Sequence, residues 1–509
     1  MKSKAVKNVG IILGCSIVAK ILSYLWEATL AALLGASDQS DAFYMTTSIF
    51  GILFPILDLG IWKVFLPIYK TKLVQQNQSE AEKIANIAIT LFFTLSVALV
   101  LFLIVFARPL VAVMAQGFDG EKRAMTIQYL RVSAPTYLLM AVASVIGAML
   151  QSRERFLGSQ IREIGTHVSK IIYVFIFYRF FGIYAAVTAM IVGSVFRVLV
   201  QLPFINWKWR FRPNFDFRDK DIVPMIKGLP SVAVTAAIAH INGLIDRMVA
   251  SGAASGAVSC LNYGNKLMHV FSGMISTAIG TAVYPTIIQH IAEKDDERLK
   301  KLLSNVICAL MFLIIPISVF CFMFSTELVT VAFQRGAFDA AATAVTARVF
   351  TGYCLGMLFL GVTTVITNVF YGYGDTKITM YISVVEIVLN IVFDLLFVRF
   401  WGVAGLAFAT SISAIICLCI RFVCLKKYIA LSYRGILTEG IKIFFLSIVA
   451  CVIPYLIVSR LIHMNVYLTL ALSAIVSVGF YLGAAYGLRI KTLSFIRSWI
   501  GKKFRKKTA

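Results

Sequence analysis

The chain has 509 residues, 60% of them hydrophobic and 14% charged, with a formal net charge of +24. A soluble domain is nearer half apolar and a quarter charged, so this composition excludes disorder and a large soluble domain. The basic residues sit in short loops beside apolar runs, which points to membrane topology and away from nucleic-acid binding.

Lys2, Lys4 and Lys7 precede an apolar run longer than a signal-peptide core, and no small-residue cleavage site follows it. It therefore reads as a retained first span. A span takes about 20 mainly apolar residues. On that measure the sequence predicts an all-α polytopic membrane protein of about fourteen helices. They fall near 8–35, 41–67, 84–107, 125–151, 157–179, 183–206, 223–250, 257–289, 299–325, 341–371, 377–398, 402–425, 437–460 and 465–488. Small-residue turns close the loops at 35–40 and 251–256, whereas 108–123 and 325–339 are amphipathic and suited to the interface. The nine cysteines lie in or beside apolar runs without metal spacing and read as packing residues.

Alternate loops differ in charge. One side carries the N-terminus, Lys70, Lys72, Lys83, Arg153, Arg155, the segment 208–220, the segment 294–301, Lys377, Lys426, Lys427, Arg434 and the tail at 502–507. The other carries only Arg108, Lys122, Arg123, Arg179, Arg335, Arg399 and Arg460. Positive charge stays inside, so both termini are expected in the cytoplasm, with an even number of spans.

A repeat runs through the chain. Arg179-Phe-Phe-Gly-Ile returns as Arg399-Phe-Trp-Gly-Val, 220 residues later. The same offset sets Lys7 on Lys227 and Ala19-Lys20-Ile21 on Ala239-His240-Ile241, and Pro67 pairs with Pro285 at nearly that offset. This predicts a parallel repeat about an axis along the membrane normal. The expected domains are an N-terminal lobe 1–206, a basic cytoplasmic linker 207–222, a C-terminal lobe 223–425, two further helices 426–488 and a basic tail 489–509.

Charges at bilayer depth are costly and face a cavity or a partner. Lys20 and Glu27 share one face of the first span, roughly 10 Å apart along its axis. Asp58 lies mid-span in the second helix, His167 and Lys170 in the fifth, and Lys266 in the eighth. Arg247 sits near a helix end beside Asp246. Glu386, Asn390 and Asp394 follow one another along the eleventh helix. Asp58 and Glu386 read equally as an ion or proton site or as hydrogen bonds between helices. Lys63, Arg131, Arg162, Arg348 and Lys442 lie near helix ends and are expected to snorkel. Lys20, Lys170 and Lys266 give the interior a basic character that suits an anionic substrate such as a diphosphate or carboxylate.

No phosphate-binding Gly-x-x-x-x-Gly-Lys-Ser/Thr loop, zinc-protease or nucleophile-elbow motif occurs. Neither cofactor nor metal is implied. The driving force is left among a Na+ or H+ gradient, the membrane potential, and removal of product on the far side.

Several segments resemble one family. They are Gly35-Ala36-Ser37 through Ser40-Asp41-Ala42-Phe43-Tyr44, Ile241-Asn242 through Asp246-Arg247, Ser259 through Met268, Phe333-Gln-Arg-Gly-Ala-Phe338 and Phe370-Tyr-Gly-Tyr-Gly-Asp-Thr376. Together they resemble the MurJ/MviN lipid II flippases of the MOP exporter superfamily over nearly the whole chain. The resemblance implies fourteen helices, two six-helix lobes around a basic cavity for a diphosphate-sugar head group, and a groove in the last two helices for a polyprenyl tail. It implies substrate-binding roles for Lys20, Glu27, Asp41, Arg247 and Lys266. Lys20 and Lys266 stand at family arginines and Glu27 at a family aspartate. Ion or proton coupling is assigned to Asp58, Glu386, Asn390 and Asp394. Trp26 and Phe54-Pro55 stand where the family has arginines, and Gly51 where it has an asparagine, which bears on the identity of the substrate.

The expected function is translocation of an undecaprenyl-diphosphate-linked precursor, lipid II first, across the bacterial cytoplasmic membrane. Anionic lipids and cell-wall synthesis enzymes are the expected partners. The competing readings are a flippase for another lipid-linked saccharide, a multidrug or cation antiporter on the same scaffold, and a membrane glycosyltransferase. Mid-span Asp58 and Glu386 favour the antiporter; the small outer loops argue against the glycosyltransferase.

Overall fold

The computed structural model describes residues 2–205, 209–461, 465–488, 490, 492 and 493. Lys208 and the basic tail at 502–507 lie outside them. Among the described residues every regular element is helical. The chain divides by packing after Ser259 into two compact units.

The first unit opens with α1 (Lys2–Leu34) and α2 (Asp38–Gly60), and α2 continues through a π-helical turn at Ile61–Phe65 into α3 (Leu66–Val74). It goes on with α4 (Gln78–Val105), α5 (Ala107–Met114), α6 (Gly120–Ser133), α7 (Thr136–Ser152), α8 (Phe156–Phe181), α9 (Ile183–Leu199) and α10 (Ile222–Ser251). Short polar residues start these helices by satisfying the free N–H groups of the first turn. Ser37 and Ser40 form a reciprocal capping box on α2, and the Asn77 side chain accepts from the Glu80 N–H on α4. The core is a sheath of apolar side chains from α2, α4, α7 and α10, with Phe65, Tyr69, Phe92 and Met149 fully enclosed. α10 packs along α2. The break in packing falls after α10, one helix beyond the linker expected at 207–222.

The second unit begins within α11 (Ala257–Met268), which passes through a π-helical turn at His269–Gly273 into α12 (Met274–Ala292). Then come α13 (Asp296–Met323), α14 (Ser325–Phe333), α15 (Ala340–Gly372), α16 (Thr376–Trp401), α17 (Val403–Leu425), α18 (Tyr433–Leu461) and α19 (Val466–Gly487). Asp295, Asp339 and Asp375 cap α13, α15 and α16. α18 packs on α13, and the Tyr481 hydroxyl of α19 donates to the Phe312 carbonyl at 2.9 Å, fastening the last two helices to the unit.

The units repeat one another in backbone geometry. A π-helical turn interrupts α2–α3 in the first unit and α11–α12 in the second, and a glycine of positive φ joins α8 to α9 and α16 to α17. Gly182 has φ 52 and ψ −134, and Gly402 has φ 57 and ψ −142.

Among the described residues, eleven helical runs are long and apolar enough to cross a membrane. There are thirteen if the bent pairs are each one span: α6 with α7 (43°), and the two halves of α10 (46°). α8 has spanning length, 26 residues, but Arg162, Glu163 and Lys170 interrupt its apolar character. Apolarity thus supports thirteen of the expected fourteen spans, and α8 is the helix in question. The amphipathic loops at 108–123 and 325–339 contain short helices, α5 and α14.

Candidate functional site

The capping box puts Asp41 one turn into α2, where it is fully buried. One carboxylate oxygen accepts from Lys122 Nζ at 2.7 Å and the Gly256 N–H at 2.8 Å. The other accepts from the Ser259 N–H at 2.8 Å and its hydroxyl at 2.7 Å. Asp38 holds Lys122 from the other side at 2.8 Å. Gly256 (φ 82) lets the 251–256 turn come this close, because a Cβ there would stand 2.7 Å from the Ala36 carbonyl. Asp41 is thus a four-donor knot tying α2, α6 and the start of α11.

Two turns further down α1, Glu27 accepts from the Tyr44 hydroxyl at 2.8 Å. Lys20 is exposed. Trp26 is 4% exposed, and Lys170 of α8 stands over its ring with Nζ 4.4 Å from the centroid. The lysine reaches this place because residue 193 is glycine: a Cβ there would lie 2.8 Å from Lys170 Cγ. A cation over an indole face is stabilised by the ring quadrupole, more so when water is excluded.

Asp58 is engaged within the unit. It accepts from the Ser144 hydroxyl at 2.5 Å and from Trp62 Nε1 at 3.2 Å. Arg162 lies over the Trp62 ring and donates to Ser144 at 3.3 Å. Its side chain is 11% exposed, so it turns inward where snorkelling was expected. The reason is Glu163, which draws Arg162 at 3.6 Å and takes a bidentate pair from Arg197 of α9 at 3.0 and 2.5 Å. Arg197 also faces the Phe54 ring. Glu163 and Arg197 escaped the sequence reading, which weighed charges one at a time. A carboxylate and an arginine facing across neighbouring helices become visible only once the helices are paired.

In the second unit Glu386 of α16 accepts from Arg421 Nη2 of α17 at 2.8 Å. This is the counterpart of Glu163–Arg197, since in each unit a glutamate of the helix before the glycine turn pairs with an arginine of the helix after it. Asn390 and Asp394 are fully buried, with Asn390 Nδ2 donating to Asp394 Oδ1 at 3.5 Å. Asn390 Oδ1 is buried with no hydrogen-bond donor. Lys266, on α11, and Arg247, on α10 of the first unit, are half-buried.

Three of the quoted motifs prove to be structural joints. Tyr263 is fully buried between Phe333 and Phe338, at 5.0 and 5.4 Å, so the turn at 333–338 clamps α11. Gly374 (φ 74) closes the turn in which Asp375 caps α16 and accepts from the Tyr428 hydroxyl. An apolar cavity of about 510 Å³ opens among α13, α15, α17 and α18, lined by Val319, Phe322, Leu355, Phe359, Ile415 and Phe444 among others.

Long apolar helices, a duplicated backbone plan and charges held at membrane depth define a multi-pass membrane transporter of the two-unit helical type. The profile of the family described as "Lipid II flippase MurJ" matches residues 30–479, and the chain belongs to that family. The Lipid II flippase MurJ of Burkholderia cenocepacia is 23% identical over 424 residues, covering 81% of this chain and 82% of its own. A MurJ relative from Rickettsia prowazekii is 23% identical over 499 residues, 94% of this chain and 97% of its own. Among solved structures, the inward closed conformation of a lipid II flippase MurJ superposes with a TM-score of 0.80 at 20% identity. That match covers 93% of this chain and 98% of the other. An inward-facing multidrug-resistance MATE transporter of the MOP superfamily gives 0.69 at 16% identity, over 81% and 96%. The structural likenesses establish the shared fold.

Proposed function

We propose that this chain carries lipid II, an undecaprenyl-diphosphate-linked precursor, from the cytoplasmic to the outer leaflet by alternating access. The family match supports the cargo. One observation carries the chemistry: a lysine at membrane depth, Lys170, seated on a buried indole and a glycine slot beside α1, where Lys20 is exposed. The family resemblance puts arginines at Trp26 and Phe54. Here those two positions are aromatic, and each ring is faced by a cation from α8 or α9. The positive charge is thus carried on different helices. Lysine binds a diphosphate as a point charge, without the guanidinium fork. The MATE likeness supplies the same scaffold but not a reason for cationic cargo. The apolar cavity beside α18 suits an isoprenoid chain. Both termini belong in the cytoplasm on the charge asymmetry of the loops, with α8 as a polar fourteenth span.

Asn390 and Asp394 are the residues that would hold a coupling ion. A hard cation takes oxygen ligands, and Asn390 offers a buried oxygen with no donor of its own. Sodium or a proton at this pair would drive the cycle, whereas Glu386 already has Arg421.

The test is complementation of a flippase-depleted strain. Lys20→Ala, Lys266→Ala and Lys170→Met should each fail to restore growth at normal protein level, and Lys170→Arg should restore part of it. Normal growth with all three charges removed would sink this site assignment. Flipping in proteoliposomes that responds to sodium in the native chain but not in Asn390→Ala would support the ion pair. An unchanged sodium response in the variant would remove it.

A further inference from the structure

The linker entering α10 is folded back on the start of α4, and the fold leaves a polar recess between them. Lys72 pairs with Asp221 at 2.8 Å, and Lys83 pairs with Asp219 at 2.6 Å. Trp209 Nε1 donates to Asn86 at 3.1 Å, and the Asn214 N–H donates to Thr90 at 3.1 Å. Burial alone would raise the Asp219 carboxyl, but the Lys83 ammonium and the Asp221 N–H hold it below its ordinary value, so the staple stays charged at neutral pH. The recess measures about 400 Å³ and is lined by three cations, Lys83, Arg210 and Arg212, one carboxylate, Glu82, and the neutral Ser79, Asn86, Pro213 and Asn214.

Two features distinguish this place from an ordinary solvated loop. Arg210 and Arg212 are exposed, and among the described residues no carboxylate pairs with either. In the basic recess of the second unit, two of the three cations, Arg298 and Lys300, are matched by Asp295 and Glu297. Second, Phe211 lies between the two arginines and Phe215 three residues beyond the second, and they are 47% and 68% exposed. The segment packs against the first turns of α4, which is long and apolar enough to cross a membrane, and belongs to the loops in which most of the Lys and Arg residues are found. Aromatic rings at that depth enter the acyl boundary while guanidinium groups reach the phosphate layer.

We infer that this recess is a binding site for the phosphodiester headgroup of an anionic phospholipid of the inner leaflet. Arg210 and Arg212 take the phosphate oxygens, Asn86 and Asn214 supply neutral hydrogen bonds, and Phe211 and Phe215 rest on the acyl chains. The bound lipid would hold the linker in its docked position against α4. The assignment is independent of the cargo.

The experiment uses the full-length protein in detergent, titrated with phosphatidylglycerol, phosphatidylcholine or inorganic phosphate and followed by its melting temperature. Phosphatidylglycerol should raise the melting temperature and phosphatidylcholine should not. Arg210→Gln/Arg212→Gln should bind phosphatidylglycerol roughly 30-fold more weakly, from the per-residue attraction of basic side chains to anionic surfaces. Phe211→Ser/Phe215→Ser, which keeps both charges, should also weaken the lipid response, and it serves if the arginine variant does not fold. An undiminished phosphatidylglycerol response in both variants would overturn the site. An equal response to inorganic phosphate would overturn the lipid assignment in favour of a soluble anion.

Discussion

Both carboxylate oxygens of Asp41 are occupied, by donors from α6 and from the turn into α11, so the residue works first as a clasp. Asparagine at this position keeps the size but cannot neutralise Lys122, and it turns an NH2 group towards N–H donors. Removing one member of a buried pair costs about 3–5 kcal/mol. Asp41→Asn should therefore melt well below the native protein, as should Lys122→Gln. The double variant should cost less than the sum, since the two side chains share one interaction. An Asp41→Asn protein with native stability would refute the clasp. This pairing was out of reach of the sequence, where Lys122 reads as one of a few outer-loop cations and Asp41 enters through family resemblance alone. The same holds for Trp26. Composition and periodicity place an aromatic residue on α1, but Lys170 above its ring depends on the slot at Gly193, 167 residues away in the chain. What was legible at this scale is that charges lie at depth. Which partner each one meets follows from helix pairing, as with Glu386 and Arg421.

Helix boundaries and turns were far more readable, because caps and glycines are local chemistry. The repeat was visible at 179–183 and 399–403 for a backbone reason: the turn between two long helices takes a conformation that favours glycine. A Cβ at Gly182 or Gly402 would touch nothing within 4 Å, so any cost of alanine there is backbone strain. That cost is about 1–3 kcal/mol. Gly182→Ala and Gly402→Ala should destabilise by similar amounts in that range, measured by thermal melting, and a free substitution at either would break the equivalence. Another turn gives a pH signature. The Tyr428 hydroxyl, together with the Ile378 N–H, holds the Asp375 carboxyl below the ordinary carboxylate value, and Tyr428 itself is pushed up to about 12 by the same bond. A depressed carboxylate contributes stability that is present above its unfolded pKa of about 4 and is lost as pH falls through its lower folded value. Local opening of the 373–378 turn, followed by hydrogen exchange, should therefore increase on acidification below about pH 4. Tyr428→Phe should open the turn already at neutral pH and flatten that dependence. An unchanged acid profile in the variant would show that the bond contributes nothing.

At the scale of the molecule, the duplicated plan constrains topology more tightly than hydropathy does. Hydropathy falters at α8, where four charged residues, Arg162, Glu163, Lys170 and Arg179, break the apolar run of a 26-residue helix. The repeat does not falter there: α8 and α16 run into the same glycine turn, and the residue two before that glycine, Phe180 or Phe400, is 73% exposed in both units. Copies related by an axis along the membrane normal must present equivalent turns to the same side, which requires an even number of crossings from one turn to the other. Whether α8 crosses leaves this count unchanged, because α8 precedes both turns; if α8 stayed out of the membrane, Glu154 and Phe180, at its two ends, would face the same side. Single cysteines at positions 180 and 400, in a background lacking the nine native cysteines, decide the matter. A membrane-impermeant maleimide added to intact cells should label both, while a cysteine at Glu154, just before α8, should react only after permeabilisation; labelling of 154 and 180 from the same side would show that α8 does not cross. Labelling of 180 and 400 from opposite sides would show that the units are inverted copies, and the charge asymmetry of the loops would then need another cause.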